Sequence, residues 1–180
     1  MMNLNKFQEL SRRTMPFNGN PKNDVEFENI LGNYSLGLIG EAVEVVEAYQ
    51  QNMALPGAIE NLMKEIGDVT HYAVGVASLF KLQLPDHVDG VSMSVSDLIH
   101  DLLLRAKLIS EYAKKRIYHR HEDAFDYQAL LGIFVTLKSL VKVYGYKYSD
   151  VLEMNIDKLK KRYPETFNAE DSINRVDTVQ

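Results

Sequence analysis

Apolar residues recur at three- and four-residue steps along almost the whole chain, and the two-residue alternation of a half-buried strand is nearly absent. The chain therefore has to bury its apolar surface by packing helices on helices. The breakers divide it. A short helix is predicted near Asn5 to Arg13, followed by a loop through Pro16, Gly19 and Pro21. Asp24 can cap a second helix running to about Gln50, with Phe27, Ile30, Leu31, Tyr34, Leu38, Val45 and Ala48 as its apolar stripe. A turn over Met53 to Gly57 leads to a third helix from about Ala58 to Leu82, which stops before Pro85. After a loop over residues 85–95, Ser94 or Ser96 can cap a helix reaching about Tyr118. Another spans roughly Phe125 to Tyr144 and is ended by Gly145, and Ser149 caps a last one running to Tyr163, where Pro164 forbids continuation. The expectation is a single all-α domain over residues 1–180, a bundle of about five main helices with a polar, mobile tail at 168–180.

Within that frame two acidic pairs stand out, Glu41-x-x-Glu44 and Glu65-x-x-Asp68. A three-residue step puts both side chains of a pair on one helix face. If the second and third helices form an antiparallel hairpin, facing residues have numbers with a constant sum. Glu44 with Glu65 and Glu41 with Asp68 share the sum 109, whose midpoint falls inside the Met53 to Gly57 turn. All four acids then lie at about one level. Carboxylates gathered in this way raise one another's pKa, and a bound cation is the simplest means of keeping them ionised. An oxygen-only donor set suits a hard cation.

Composition narrows the chemistry. At 180 residues and 46% hydrophobic content the chain can bury one sizeable core. It has no cysteine, which excludes disulfides, thiolate metal sites and a cysteine nucleophile, and suits a cytoplasmic protein. No stretch approaches the ~20 apolar residues of a membrane span, and the N-terminus lacks the pattern of a secretion signal, so no membrane association is expected. A formal charge of −5 argues against stable nucleic-acid binding and would also repel a free polyphosphate, which would need a metal and a local basic patch. The last helix offers that patch. Asn155, Lys158 and Arg162 share one face and can reach phosphate or sugar oxygens.

Gly40-Glu41-Ala42-Val43-Glu44-Val45-Val46-Glu47, Lys64-Glu65-Ile66-Gly67-Asp68-Val69 and Asn155-Ile156-Asp157-Lys158 through Tyr163-Pro164 resemble, in order, the successive motifs of the MazG-like all-α nucleoside triphosphate pyrophosphohydrolases. The opening Phe7 to Thr14 is similar to the N-terminal segment of some members. The resemblance implies hydrolysis of a nucleoside triphosphate to the monophosphate and pyrophosphate. Mg²⁺, with Mn²⁺ as a substitute, would be held by Glu41, Glu44, Glu65 and Asp68. One glutamate, Glu44 by preference, would orient or deprotonate the attacking water, and Asn155 and Lys158 would bind substrate with Arg162. Related bundles are dimers or tetramers, and a homodimer or higher homo-oligomer is expected, fitting the apolar faces formed by Leu36, Ile39, Val43 and Val46 and by Val74, Val76 and Leu79. The chain departs from the family pattern in the length between Asp68 and Asn155, where residues 85–123 add a helix and the basic run Lys114 to His121. This segment suggests the alternative of a helical nucleotide-binding or protein-interaction module that has lost catalysis.

Other residues carry weaker signals. Glu65-x-x-Asp68-x-x-His71 resembles half of a di-iron site, but no Glu-x-x-His occurs in the chain, and His71 reads as a packing residue. His119, His121, Glu122 and Asp123 sit in a charged run and read as a solvated loop. Glu47 extends the Glu41, Glu44 face as an outer acid, and Tyr72, Tyr144, Tyr146 and Tyr148 could stack on a base or pack. Asp171, Ser172 and Arg175 resemble the trailing segment of some family members, a resemblance that suggests closure of the tail from Phe167 to Arg175 over substrate.

Overall fold

The computed structural model describes residues 1–51, 53–167 and 170, and among them it contains six α-helices and no strand. These are α1 (Leu4–Ser11), α2 (Asp24–Gln50), α3 (Ala58–Leu79), α4 (Val95–His119), α5 (Tyr127–Val143) and α6 (Tyr148–Arg162), with two 3-10 turns, Arg12–Thr14 and Pro16–Gly19, after α1. No single helix among the described residues is long and apolar enough to cross a membrane.

α3 is the hub, with α2, α6, α5 and α1 all packed on it, while α4 bridges α2 and α5. Its sequence shows why. From Ala73 to Leu79 every residue is buried, so this half of the helix is enclosed on all sides and carries no charge. The half before it holds Glu65 and Asp68 on one face and buries Leu62, Ile66 and Val69 on the other. The core runs through Leu38, Ala42 and Val45 of α2, Phe134 and Leu137 of α5, and Val151, Leu152 and Ile156 of α6.

The expected helices are present, and their ends differ for local reasons. Asn23, not Asp24, caps α2, its side chain accepting from the Glu26 N–H at 2.9 Å; Asp24 is the first helical residue, where its charge still favours the positive end of the helix. α3 stops at Leu79 rather than Leu82 because the buried Gln8 of α1 captures the chain there. Its amide donates to Ser78 Oγ (3.2 Å) and to the Leu82 carbonyl (2.7 Å), and its oxygen accepts from the Leu84 N–H (3.0 Å). Ser94 is the cap of α4. Ser149 lies inside α6, which begins one residue earlier because Tyr148 is drawn into the core with its hydroxyl 2.8 Å from Thr70 Oγ1.

α4, the helix of the added segment, packs on α2 and covers part of that helix's surface. Val74, Val76 and Leu79 are enclosed by the other helices packed on α3, whereas Leu36 stays 72% and Val43 44% exposed on α2. The trailing residues Asp171, Ser172 and Arg175 lie outside the described residues.

Candidate functional site

Two glycines reveal the hairpin register. A Cβ at Gly37 would fall 2.1 Å from the Tyr72 ring, and one at Gly75 would fall 2.0 Å from the Tyr34 ring. Each ring occupies the space that the facing glycine leaves empty. Both pairs obey the sum 109 inferred for the acids, so the register continues one turn after another from Tyr34–Gly75 to Glu44–Glu65. In agreement, Glu41, Glu44 and Glu65 bring carboxylate oxygens within 4.8 Å of one another.

Asp68 lines the same cavity but is held from the other side. Lys158 Nζ forms a very short ion pair with its Oδ2, and Asn155 Nδ2 donates to its Oδ1 at 2.7 Å. Asn155 is only 4% exposed and packs on Gly67, so its contact is with Asp68 rather than with the cavity. The four acids thus divide into a group of three open to a shared cation and one anchored to α6. A three-carboxylate, all-oxygen donor set is chemically suited to a hard divalent ion, with positions left for water or ligand oxygens.

Electrostatics agree with the crowding. Burial, followed by the charges of Asp68, Glu44 and Glu65, pushes Glu41 up to about 8; burial, followed by Asp68 and Glu44, pushes Glu65 up to about 7. Both groups therefore ionise near neutrality. A divalent ion beside them would hold both as carboxylates.

The cavity, about 430 Å³, extends from the acids past Lys158 and Arg162 of α6 to an aromatic end. Tyr34, His71 and Tyr72 form one wall there, with His71 and Tyr72 ring centres 5.4 Å apart and Tyr34 and Tyr72 5.6 Å apart. Tyr163 and Phe167, beyond the end of α6, also line the cavity. Burial drives the His71 pKa down to about 4, so the imidazole is neutral at physiological pH, and its Nδ1 lies 3.1 Å from Ser11 Oγ. His71 is outside the acid group, as the absence of a Glu-x-x-His pattern implied. Burial also raises the Tyr72 hydroxyl pKa, with Glu41 the next cause.

Some sequence candidates lie elsewhere. Glu47 is exposed and does not line the cavity. His119, His121, Glu122 and Asp123 are solvent-exposed; His121 Nδ1 is 3.6 Å from Asp123 Oδ2, and these residues form no compact ligand group. Tyr144, Tyr146 and Tyr148 do not line the cavity. Conversely, Tyr34 and Tyr163 belong to the site although each reads as a core residue by period alone. The shared sum could have found Tyr34, since it faces Gly75 in the register already set by the acids. Comparison with protein-family models, with curated proteins and with solved structures yields no match to this chain.

Proposed function

We propose that this protein is a Mg²⁺-dependent nucleoside triphosphate pyrophosphohydrolase that releases the monophosphate and pyrophosphate. The observation that carries the reading is the convergence on one cavity of three clustered carboxylates with two α6 cations, Lys158 and Arg162. It agrees with the three ordered motifs that resemble the MazG-like family.

Glu41, Glu44 and Glu65 are the ligands, with Asp68 beside them. Bound there, Mg²⁺ supplies charge neutralisation and Lewis-acid polarisation of phosphate oxygens. Arg162 and Lys158 offset the negative charge of the polyphosphate, which the net charge of −5 would otherwise repel. Glu44 is the most exposed of the three clustered acids and orients the attacking water; as that water's oxygen bonds to phosphorus, its proton passes to a carboxylate and the bond to the pyrophosphate oxygen breaks. Asn155 acts one step back. It fixes Asp68, and through Asp68 the position of Lys158, instead of touching substrate.

Incubation with a panel of nucleoside triphosphates and Mg²⁺, with pyrophosphate detection, tests this reading. Release of pyrophosphate from at least one nucleotide, abolished by chelation, is the expected result. No release from any would overturn it.

A further inference from the structure

Two of the aromatic residues that line the cavity sit on a segment tied down by a residue that does not line it. Arg13, in the 3-10 turn after α1, donates from Nη1 to the Pro164 carbonyl at 3.3 Å and to the Glu165 carbonyl at 2.7 Å. In return the Phe167 N–H donates to the Arg13 carbonyl at 3.0 Å. Arg13 Nη2 is enclosed as well. This strap follows α6 and carries two cavity residues, Tyr163 at its start and Phe167 at its end, with ring centres 5.7 Å apart. Phe167 remains 38% exposed and lines the same cavity as Tyr34 and Tyr72.

An acidic and cationic end joined to an end lined by aromatic rings suits a ligand that combines phosphates with a planar ring. We infer that Arg13 is a positioning residue for a nucleobase subsite: it holds the strap after α6 so that Tyr163 and Phe167 stay at the aromatic end of the cavity, with Tyr34 and Tyr72, to receive the base. The inference rests on the nucleotide reading of the same cavity and goes beyond it by assigning the base to the aromatic end and its grip to a residue outside the pocket. A planar guanidinium donating to two successive carbonyls is a geometry that lysine reproduces only in part. Stacking on an aromatic side chain is sequence-tolerant, so the strap favours nucleotides over bare polyphosphate without choosing strongly among bases.

The test compares two probes in the presence of Mg²⁺ by calorimetry: nucleoside triphosphates bridged by methylene between the α and β phosphorus, and inorganic tripolyphosphate. The parent should bind the nucleotides more tightly than tripolyphosphate. Arg13→Ala and, independently, Phe167→Ala should each weaken nucleotide binding by about tenfold while leaving tripolyphosphate within about twofold, and Arg13→Lys should recover part of the loss. Phe167→Ala alters a partly exposed side chain, so it decides the matter if Arg13→Ala does not fold. A parent that binds tripolyphosphate as well as nucleotide, or variants that keep the parent's preference, would overturn the base subsite while leaving the phosphate chemistry standing. A parent that binds neither probe would overturn both readings.

Discussion

Glu41→Gln provides a sharp perturbation, because it removes the carboxylate most displaced by its surroundings and leaves a side chain of the same shape. In the metal-free protein Glu41 ionises at about 8, against 4.5 for an ordinary glutamate. Between those two values the folded state binds a proton that the unfolded state has already lost. The stabilisation linked to that proton is fully present below 4.5 and is lost as pH rises through 8. At 1.36 kcal/mol per pH unit the undiscounted cost is roughly 5 kcal/mol, but the carboxylate is partly open to water, and about 1–2 kcal/mol is a realistic remainder after screening. Urea unfolding in the presence of chelator should therefore find Glu41→Gln more stable than the parent by about that amount at about pH 9, and indistinguishable from it near about pH 4. Mg²⁺ should reverse the order, since ligation stabilises the parent by about 2.7 kcal/mol when the ion is a hundredfold above its Kd and the variant has lost a ligand. A variant less stable than the parent at high pH without metal, or one that gains as much as the parent from Mg²⁺, would refute the reasoning.

Proton competition should make apparent Mg²⁺ affinity rise with pH through the values of Glu65, about 7, and Glu41, about 8, and flatten above them; calorimetric titrations across that range would show it, and a pH-independent Kd would count against carboxylate ligation. Lys158→Met should release Asp68 into the acid group and lower Mg²⁺-supported turnover by roughly 10–100-fold, the range typical of lost outer-shell partners, and unchanged turnover would show that the ion pair is incidental. Gln8→Ala should lower stability by about 2–3 kcal/mol in denaturant unfolding, because the Leu84 N–H and the Leu82 carbonyl both lose a buried partner, and a loss below about 0.5 kcal/mol would contradict the role given to Gln8 in ending α3.

Much of the site was legible because a helical hairpin converts sequence spacing into spatial level. Once the turn was placed at Met53 to Gly57, the sum 109 brought Glu41, Glu44 and Glu65 together, and the same arithmetic places Tyr34 and Tyr72 against Gly75 and Gly37. What spacing could not supply was the partner of each polar group across nonadjacent helices. Asn155 and Lys158 share the face with Arg162 that their period requires, yet their hydrogen bonds go to Asp68, which depends on the closeness of α3 and α6 at Gly67. Helix ends failed for the same reason: the end of α3 is decided by Gln8, far away in the chain, and the start of α6 by the buried contact of Tyr148 with Thr70. The Arg13 strap was illegible because its bonds are to backbone carbonyls, for which side-chain pattern carries no signal.

The central claim is that the clustered carboxylates and the α6 cations cut a triphosphate between its α and β phosphorus. Phosphorus NMR of one cleaved nucleotide with Mg²⁺ tests this directly, because it identifies both products at once. Monophosphate and pyrophosphate should appear in equal amounts, at a rate that Glu65→Gln lowers by at least about a hundredfold. Diphosphate and orthophosphate, or turnover that survives the loss of Glu65, would contradict it.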